Sequence, residues 1–196
     1  MMFNQIQYLK PIMGSNIVGN GVLIGKYLLT AGHVVSKLER YDSEGFTFSR
    51  SDALALYCEN KNKEGLYYDY ALFNSQYRSP MRLAHGLPNE GEVLTSISLI
   101  TQVTEIPSNG VGIFSTKKIE SFEPVISKAT VLRTIGNFII CDMEVPLAEG
   151  QSGSALIKDD AVYGILHGGV DGELCVFQSA TSIREHLAQL SKSFDI

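Results

Sequence analysis

The chain has 196 residues, of which 44% are apolar and 19% charged, with 18 Gly, 6 Pro, 3 Cys and no Trp. That length suits one domain or two small ones with a sizeable core, and the composition excludes a disordered or low-complexity chain. A net charge of -5, with no block of like charges, gives no basis for a duplex nucleic-acid partner.

In chain order, the first segment, Met1 to Gln7, lacks the basic start, apolar run and small-residue cleavage site of a secretory signal. No run of about 18 apolar residues follows that could span a bilayer, so the expectation is a cytoplasmic or host-intracellular chain without a membrane partner. Short runs rich in Val, Ile, Leu, Tyr and Phe then recur about every ten residues, between Gly, Asn, Asp and Ser. They are Ile17-Val18, Val22 to Ile24, Tyr27 to Leu29, Ala53 to Tyr57, Tyr70 to Phe73, Val93 to Ile100, Val111 to Phe114, Ile135 to Cys141, Ala155 to Ile157, Val162 to Leu166 and Leu174 to Phe177. This spacing predicts an all-β sandwich or barrel, and about a dozen strands are too many for one small barrel.

Residues 79–91 carry two prolines and two glycines and read as a linker. The predicted organisation is an N-terminal barrel over 1–78, the linker, and a C-terminal barrel over 92–181. A helix over 182–192 follows, because Ser182-Ile183-Arg184-Glu185 has the form of a capping box and Ile183, Leu187 and Leu190 follow at helical spacing. His85 and His186 are expected on the solvated surface. Cys58, Cys141 and Cys175 are odd in number and widely spaced, which predicts reduced, packed thiols.

Three segments carry chemistry. Thr30-Ala31-Gly32-His33 ends a strand; Asp69 stands immediately before the apolar run Tyr70-Ala71-Leu72-Phe73; Ser152 is held in Glu149-Gly150-Gln151-Ser152-Gly153-Ser154. A serine hydroxyl is a weak nucleophile until an adjacent imidazole takes its proton, and a carboxylate must hold that imidazole in one tautomer. Glycines beside the serine allow a tight turn that exposes the N–H groups of Gly150 and Ser152 to an oxyanion. An α/β-hydrolase elbow also presents a serine between glycines, but it requires a helix after the serine. Here Ala155 to Gly164 reads as strand, Asp-Asp turn and strand.

In the order His, Asp, Ser, with intervals of 36 and 83 residues, these motifs resemble those of chymotrypsin-like serine peptidases, most closely the compact bacterial and viral members. The resemblance implies two antiparallel six-stranded β-barrels with a short C-terminal helix and the active site in the cleft between them. It implies an endopeptidase in which Ser152 attacks, His33 is the general base, Asp69 orients His33, and the Gly150 and Ser152 amides form the oxyanion hole. A polypeptide substrate is implied, paired with the strand around His167, Gly168 and Gly169, without metal or organic cofactor. Gln151 stands where digestive members have an Asp that receives a new N-terminus, so zymogen activation through that ion pair is not expected.

The primary pocket admits two readings. Glutamyl endopeptidases and picornavirus-like proteases place a His in this strand to recognise Glu or Gln, and His167 comes one position later. Read without a gap, Leu166 faces the pocket with Leu147, and His167 turns toward Asp69; a one-residue bulge would return His167 to the pocket. The apolar walls Pro146, Leu147 and Ala148 favour the first. Two alternatives to a general endopeptidase stand beside it, a peptide-binding module that has lost turnover and a viral polyprotein-processing protease.

Overall fold

The computed structural model describes residues 5–11, 17–37, 39–43, 46–61, 67–107, 116–170, 174–190, 194 and 196. The strands are β1 (Ile6–Pro11), β2 (Gly19–Ile24), β3 (Tyr27–Thr30), β4 (Arg40–Ser43), β5 (Phe46–Ser49), β6 (Ala55–Lys61), β7 (Tyr67–Asn74), β8 (Arg82–Leu83), β9 (Val93–Pro107), β10 (Thr116–Ile135), β11 (Phe138–Met143), β12 (Ala155–Lys158), β13 (Ala161–Val170) and β14 (Leu174–Ser179). Helix α1 (Gly32–Ser36) follows β3, and α2 (Ala180–Gln189) follows β14.

Two sheets result, as the sequence predicts. The second closes on itself as a six-stranded barrel in the order β9-β10-β11-β14-β13-β12, because β12 pairs with both β9 and β13. The first is a seven-stranded curled half-barrel in the order β5-β4-β1-β2-β3-β7-β6. The linker segment carries β8, which pairs in parallel with β13 through Arg82↔Ala161 and Leu83↔Val162.

Burial explains which strands were legible. Leu23, Leu28, Ala71 and Phe73 fill the first sheet's interior with Leu9, Val34, Tyr41 and Phe48. The alternate residues Val22, Ile24, Leu29, Tyr70 and Leu72 pack outward against Leu83, Ile97, Ile157, Val162 and Ile165 of the other half, and against Ile183 and Leu187 of α2. Strands buried on both faces read as continuous apolar runs. β1, β4, β5 and most of β10 were not predicted, because each is short, polar, or apolar on one face only. The run Val111 to Phe114 lies outside the described residues. The run Ile135 to Cys141 is broken by a turn at Gly136-Asn137, where Gly136 has φ 55° and β10 folds back on β11.

The helix begins earlier than the capping-box signal places it. β14 runs directly into α2, so Ser179 is the N-cap and its hydroxyl accepts the Ser182 N–H at 3.4 Å. Ser182 lies inside the first turn, and its own hydroxyl donates to the Ser179 carbonyl at 2.8 Å.

His186 is also not on the surface. It is 7% exposed, stacks on Tyr68 at 3.9 Å between ring centroids, and its Nδ1 lies 3.0 Å from the Tyr70 hydroxyl. Helical spacing puts it on the apolar face with Ile183 and Leu187. Tyr68 and Tyr70 thus face α2, while Asp69 between them faces the other way.

Burial lowers the pKa of His186 below the usual 6.5. Its protonation is therefore resisted by the fold, and the stability it contributes is complete above about pH 6.5 and lost as pH falls through the folded-state value. We predict that the urea midpoint of the wild type falls more between pH 7.5 and 5 than that of His186→Gln. Parallel pH profiles for the two proteins would contradict this.

Candidate active site

The site begins where β3 ends. Thr30 closes that strand with its hydroxyl on the Asn20 carbonyl at 2.5 Å, and the chain turns into α1, placing His33 in the helix's first turn. The His33 main-chain N–H donates to Asp69 Oδ1 at 2.7 Å, and its ring Nδ1 lies 2.6 Å from Asp69 Oδ2. Asp69, on β7, is fully buried. Its main-chain N–H donates to Gln178 Oε1 of β14 at 3.1 Å, tying the strand to the second barrel.

A second imidazole shares the same carboxylate. His167 Nδ1 also lies 2.6 Å from Asp69 Oδ2. Its ring is fixed among Tyr67, Phe138 and His33, at centroid distances of 5.7, 5.7 and 5.6 Å. An ionised carboxylate only accepts, so each histidine presents Nδ1–H to it. Burial raises the pKa of Asp69, but the hydrogen bonds from His167 and His33, with the charges of these rings, outweigh it and hold the carboxyl at about 2.

His33, Asp69 and His167 form the one group of potential metal ligands among the described residues, with ligand atoms within 4.8 Å of one another. Each nitrogen is 2.6 Å from the shared oxygen. Ligand atoms around a tetrahedral zinc stand about 3.3 Å apart, so this spacing is that of hydrogen bonds.

Ser152 lies in the turn between β11 and β12. Gly150 and Gly153 flank it with φ 86° and 85°, and a Cβ on Gly153 would stand 2.0 Å from the Asn20 carbonyl oxygen. The Gly153 N–H donates to the Leu166 carbonyl at 2.7 Å, and the Ser154 N–H to the Gln151 carbonyl at 3.0 Å. The Gln151 side chain is satisfied internally, accepting the Ala148 N–H at 2.7 Å and donating to the Ser98 hydroxyl at 2.8 Å. Neither the Gly150 nor the Ser152 N–H has an acceptor among the described residues.

These two residues line a cavity of about 690 Å³ with Leu147, Leu166, Gly168 and Gly169. A neighbouring cavity of about 460 Å³ shares Leu147 and Gly169 and adds Met143, Pro146, Leu174, Cys175 and Asp142. His167 lines neither cavity. The pairing of β13 with β14 does shift register between Leu166 and Gly168, yet the imidazole stays on Asp69. The structure therefore brings His33, Asp69 and His167 together, and Ser152 with Gly150, Leu147, Leu166, Gly168 and Gly169. The side-chain hydrogen bonds of His33 end at Asp69, without one to the Ser152 hydroxyl among the described residues.

No family model and no curated protein matches the sequence. Solved structures do match the fold. Human heparin binding protein superposes with a TM-score of 0.65 at 15% identity, over 98% of this chain and 93% of its own. Tobacco etch virus protease, catalytically active and complexed with product, gives 0.56 at 15% identity over 95% and 78%. This chain has the chymotrypsin-like fold. The inactivated protease paralogue S-D1 of the scabies mite matches too, with a TM-score of 0.63 at 9% identity over 95% of this chain and 91% of that one. At such identities the likeness is one of fold, which active and inactive proteins share.

Two polar residues of this site have no role in the sequence reading, Asn20, in the strand before the histidine motif, and Gln178. Both are fully buried, and both bond main-chain atoms of the opposite half. The available signal was a lone amide inside an otherwise apolar strand.

The depressed pKa of Asp69 makes a stability prediction. Its folded value of about 2 lies below the unfolded 3.8, so its contribution is complete above about pH 4 and lost as pH falls toward 2. This is worth roughly 2 kcal/mol. Asp69→Asn should flatten the acid-unfolding profile between pH 4 and 2 and lower stability at pH 7. A mutant profile parallel to the wild type would refute the assignment.

Proposed function

We propose that the chain is a serine endopeptidase acting by acyl transfer. The observation that carries this reading is the buried Asp69 carboxylate fixing Nδ1–H of His33, in a chain whose Ser152 turn has two amides without an acceptor among the described residues, beside a cavity. Ser152 Oγ attacks the scissile carbonyl and forms the C–O bond, while its proton passes to His33 Nε2. The carbonyl π pair moves onto oxygen, where the Gly150 and Ser152 N–H groups receive it. Collapse expels the amine, which takes the proton from His33; water then repeats the sequence on the acyl-enzyme and releases the acid. Hydroxyl–imidazole contacts are often long in the free enzyme and tighten with substrate bound.

The edge of β13 supports a polypeptide substrate. β12 pairs with β13 only as far as Ile165, so His167 to Val170 keep an edge without a strand partner among the described residues. An extended peptide adds there by main-chain hydrogen bonds. The lining by Leu147, Leu166, Gly168 and Gly169 favours an apolar residue before the scissile bond, since His167 is engaged by Asp69; among the described residues the charged lining is Lys37 and Glu149 in this cavity and Asp142 in the adjoining one.

A second reading, a peptide-binding module without turnover, is favoured by one observation, the missing hydrogen bond between Ser152 and His33. A fluorophosphonate separates the two. The endopeptidase is labelled stoichiometrically at Ser152, labelling is lost in Ser152→Ala and His33→Ala, and kcat/KM falls at least about 10⁴-fold in both. A folded wild type that neither labels nor cleaves would leave the module.

A peptide library tests the pocket. The wild type should select apolar residues before the scissile bond, and His167→Ala should lower kcat while leaving that preference unchanged. Selection of Glu or Gln that disappears in His167→Ala would reverse the pocket reading.

A further inference from the structure

We infer that Asn20, which stands ten residues before Thr30 of the histidine motif and 130 before Gly150, is the positioning residue of the oxyanion turn; this rests on the endopeptidase reading. Asn20 is fully buried on β2. Its Nδ2 donates to the Gly150 carbonyl at 2.8 Å and to the Leu99 carbonyl at 2.9 Å, and its Oδ1 accepts the Leu99 N–H at 2.6 Å. The opposite amide orientation would set oxygen against two carbonyls and NH₂ against an N–H, so the contacts fix the assignment. Its main-chain N–H donates to the Ser152 carbonyl at 2.6 Å. One residue therefore takes both the Gly150 and the Ser152 carbonyls, and both side-chain N–H donors and one oxygen lone pair are engaged.

The geometry of the peptide unit turns this into a role. Carbonyl and following N–H point in opposite directions across a trans peptide, so fixing a carbonyl fixes the next amide. With the Ser152 carbonyl on Asn20, the Gly153 N–H meets the Leu166 carbonyl; with the Gln151 carbonyl held inward by Ser154, the Ser152 N–H is directed away from the turn. The plane between Gly150 and Gln151 is held at its carbonyl by the Asn20 side chain, and its Gln151 N–H meets the Ala148 carbonyl at a longer 3.4 Å. The Gly150 N–H lies in the preceding plane, between Glu149 and Gly150, which is joined to the held one through the φ and ψ of Gly150; without the Asn20 bond these torsions have few steric barriers, and the Gly150 N–H can turn out of convergence with that of Ser152. Leu99 supplies the register, because the same amide pins the turn to β9 of the second barrel.

The test compares Asn20→Ala with Asn137→Ala. Asn137 is also buried and also joins the two halves, by Nδ2 to the Tyr67 carbonyl at 3.1 Å, but touches no part of the turn. Two ligands are used for each protein, a substrate-like peptide aldehyde, whose hemiacetal places an oxyanion at the amides, and the matching peptide acid. In Asn20→Ala we expect kcat to fall about 10- to 100-fold with KM within threefold, and aldehyde affinity to fall by the same factor as kcat/KM while the acid binds as before. Asn137→Ala should shift Tm alone. If Asn20→Ala does not fold, Asn20→Asp replaces it, keeping the size and the Leu99 N–H bond while losing the donation to Gly150. Aldehyde affinity within twofold of wild type, or equal losses for aldehyde and acid, would overturn the inference. A wild type that binds acid and aldehyde equally and does not turn over would instead refute the endopeptidase reading, and the inference with it.

Discussion

A single buried carboxylate organises this molecule. Asp69 accepts from the His33 main chain, the His33 ring and the His167 ring, and its own N–H is bound by Gln178. Two of these partners belong to the first half of the chain and two to the second. A carboxylate with no exposure remains ionised only because three donors replace the water it has lost. The halves must therefore meet with their strands in correct register, since a one-residue slip would turn Asp69 to the opposite face and bring Tyr68 or Tyr70 in its place.

The same strand explains why the C-terminal helix matters to a site it does not touch. Asp69 faces one way, and Tyr68 and Tyr70 face His186 on α2, so β7 is held from both sides. The core between the halves is apolar, built from Val22, Leu29, Leu72, Ile97, Val162 and Ile183, and supplies attraction without direction. The buried amides of Asn20, Asn137 and Gln178 supply the direction, each by bonding main-chain atoms across the divide.

Much of this was legible in the sequence, for physical reasons. Strands between two packed layers, such as β2, β3, β7 and β12, announce themselves as apolar runs, and the motifs around His33, Asp69 and Ser152 stand at their ends. β10 was hidden because the stretch from Thr116 to Lys128 is rich in Lys, Glu and Ser, and its pairing with β9 runs from Thr116↔Pro107 to Thr130↔Val93. The start of α2 was misplaced by three residues because Ser179 and Ser182 carry the same chemistry. The facing of Cys141 and Cys175 across β11 and β14 was illegible, since register is set by partners distant in sequence. Both are free thiols, pushed by burial up to about 12 and about 11, in keeping with packing residues.

The buried amides that join the halves also impose an order in time. A chain emerging from the ribosome completes the strands of its first sheet before Val93 exists, with Asn20, His33 and Asp69 already in place. At that stage Asn20 lacks Leu99 and Gly150, and Asp69 lacks both His167 and Gln178. Polar groups shaped for partners not yet made keep that surface hydrated and weaken premature packing. The last of these partners to be made is Gln178, more than a hundred residues after Asp69. The histidine and aspartate of the first sheet are therefore made well before the residues that fix them, and their surroundings are complete only once His167 and Gln178 have been added.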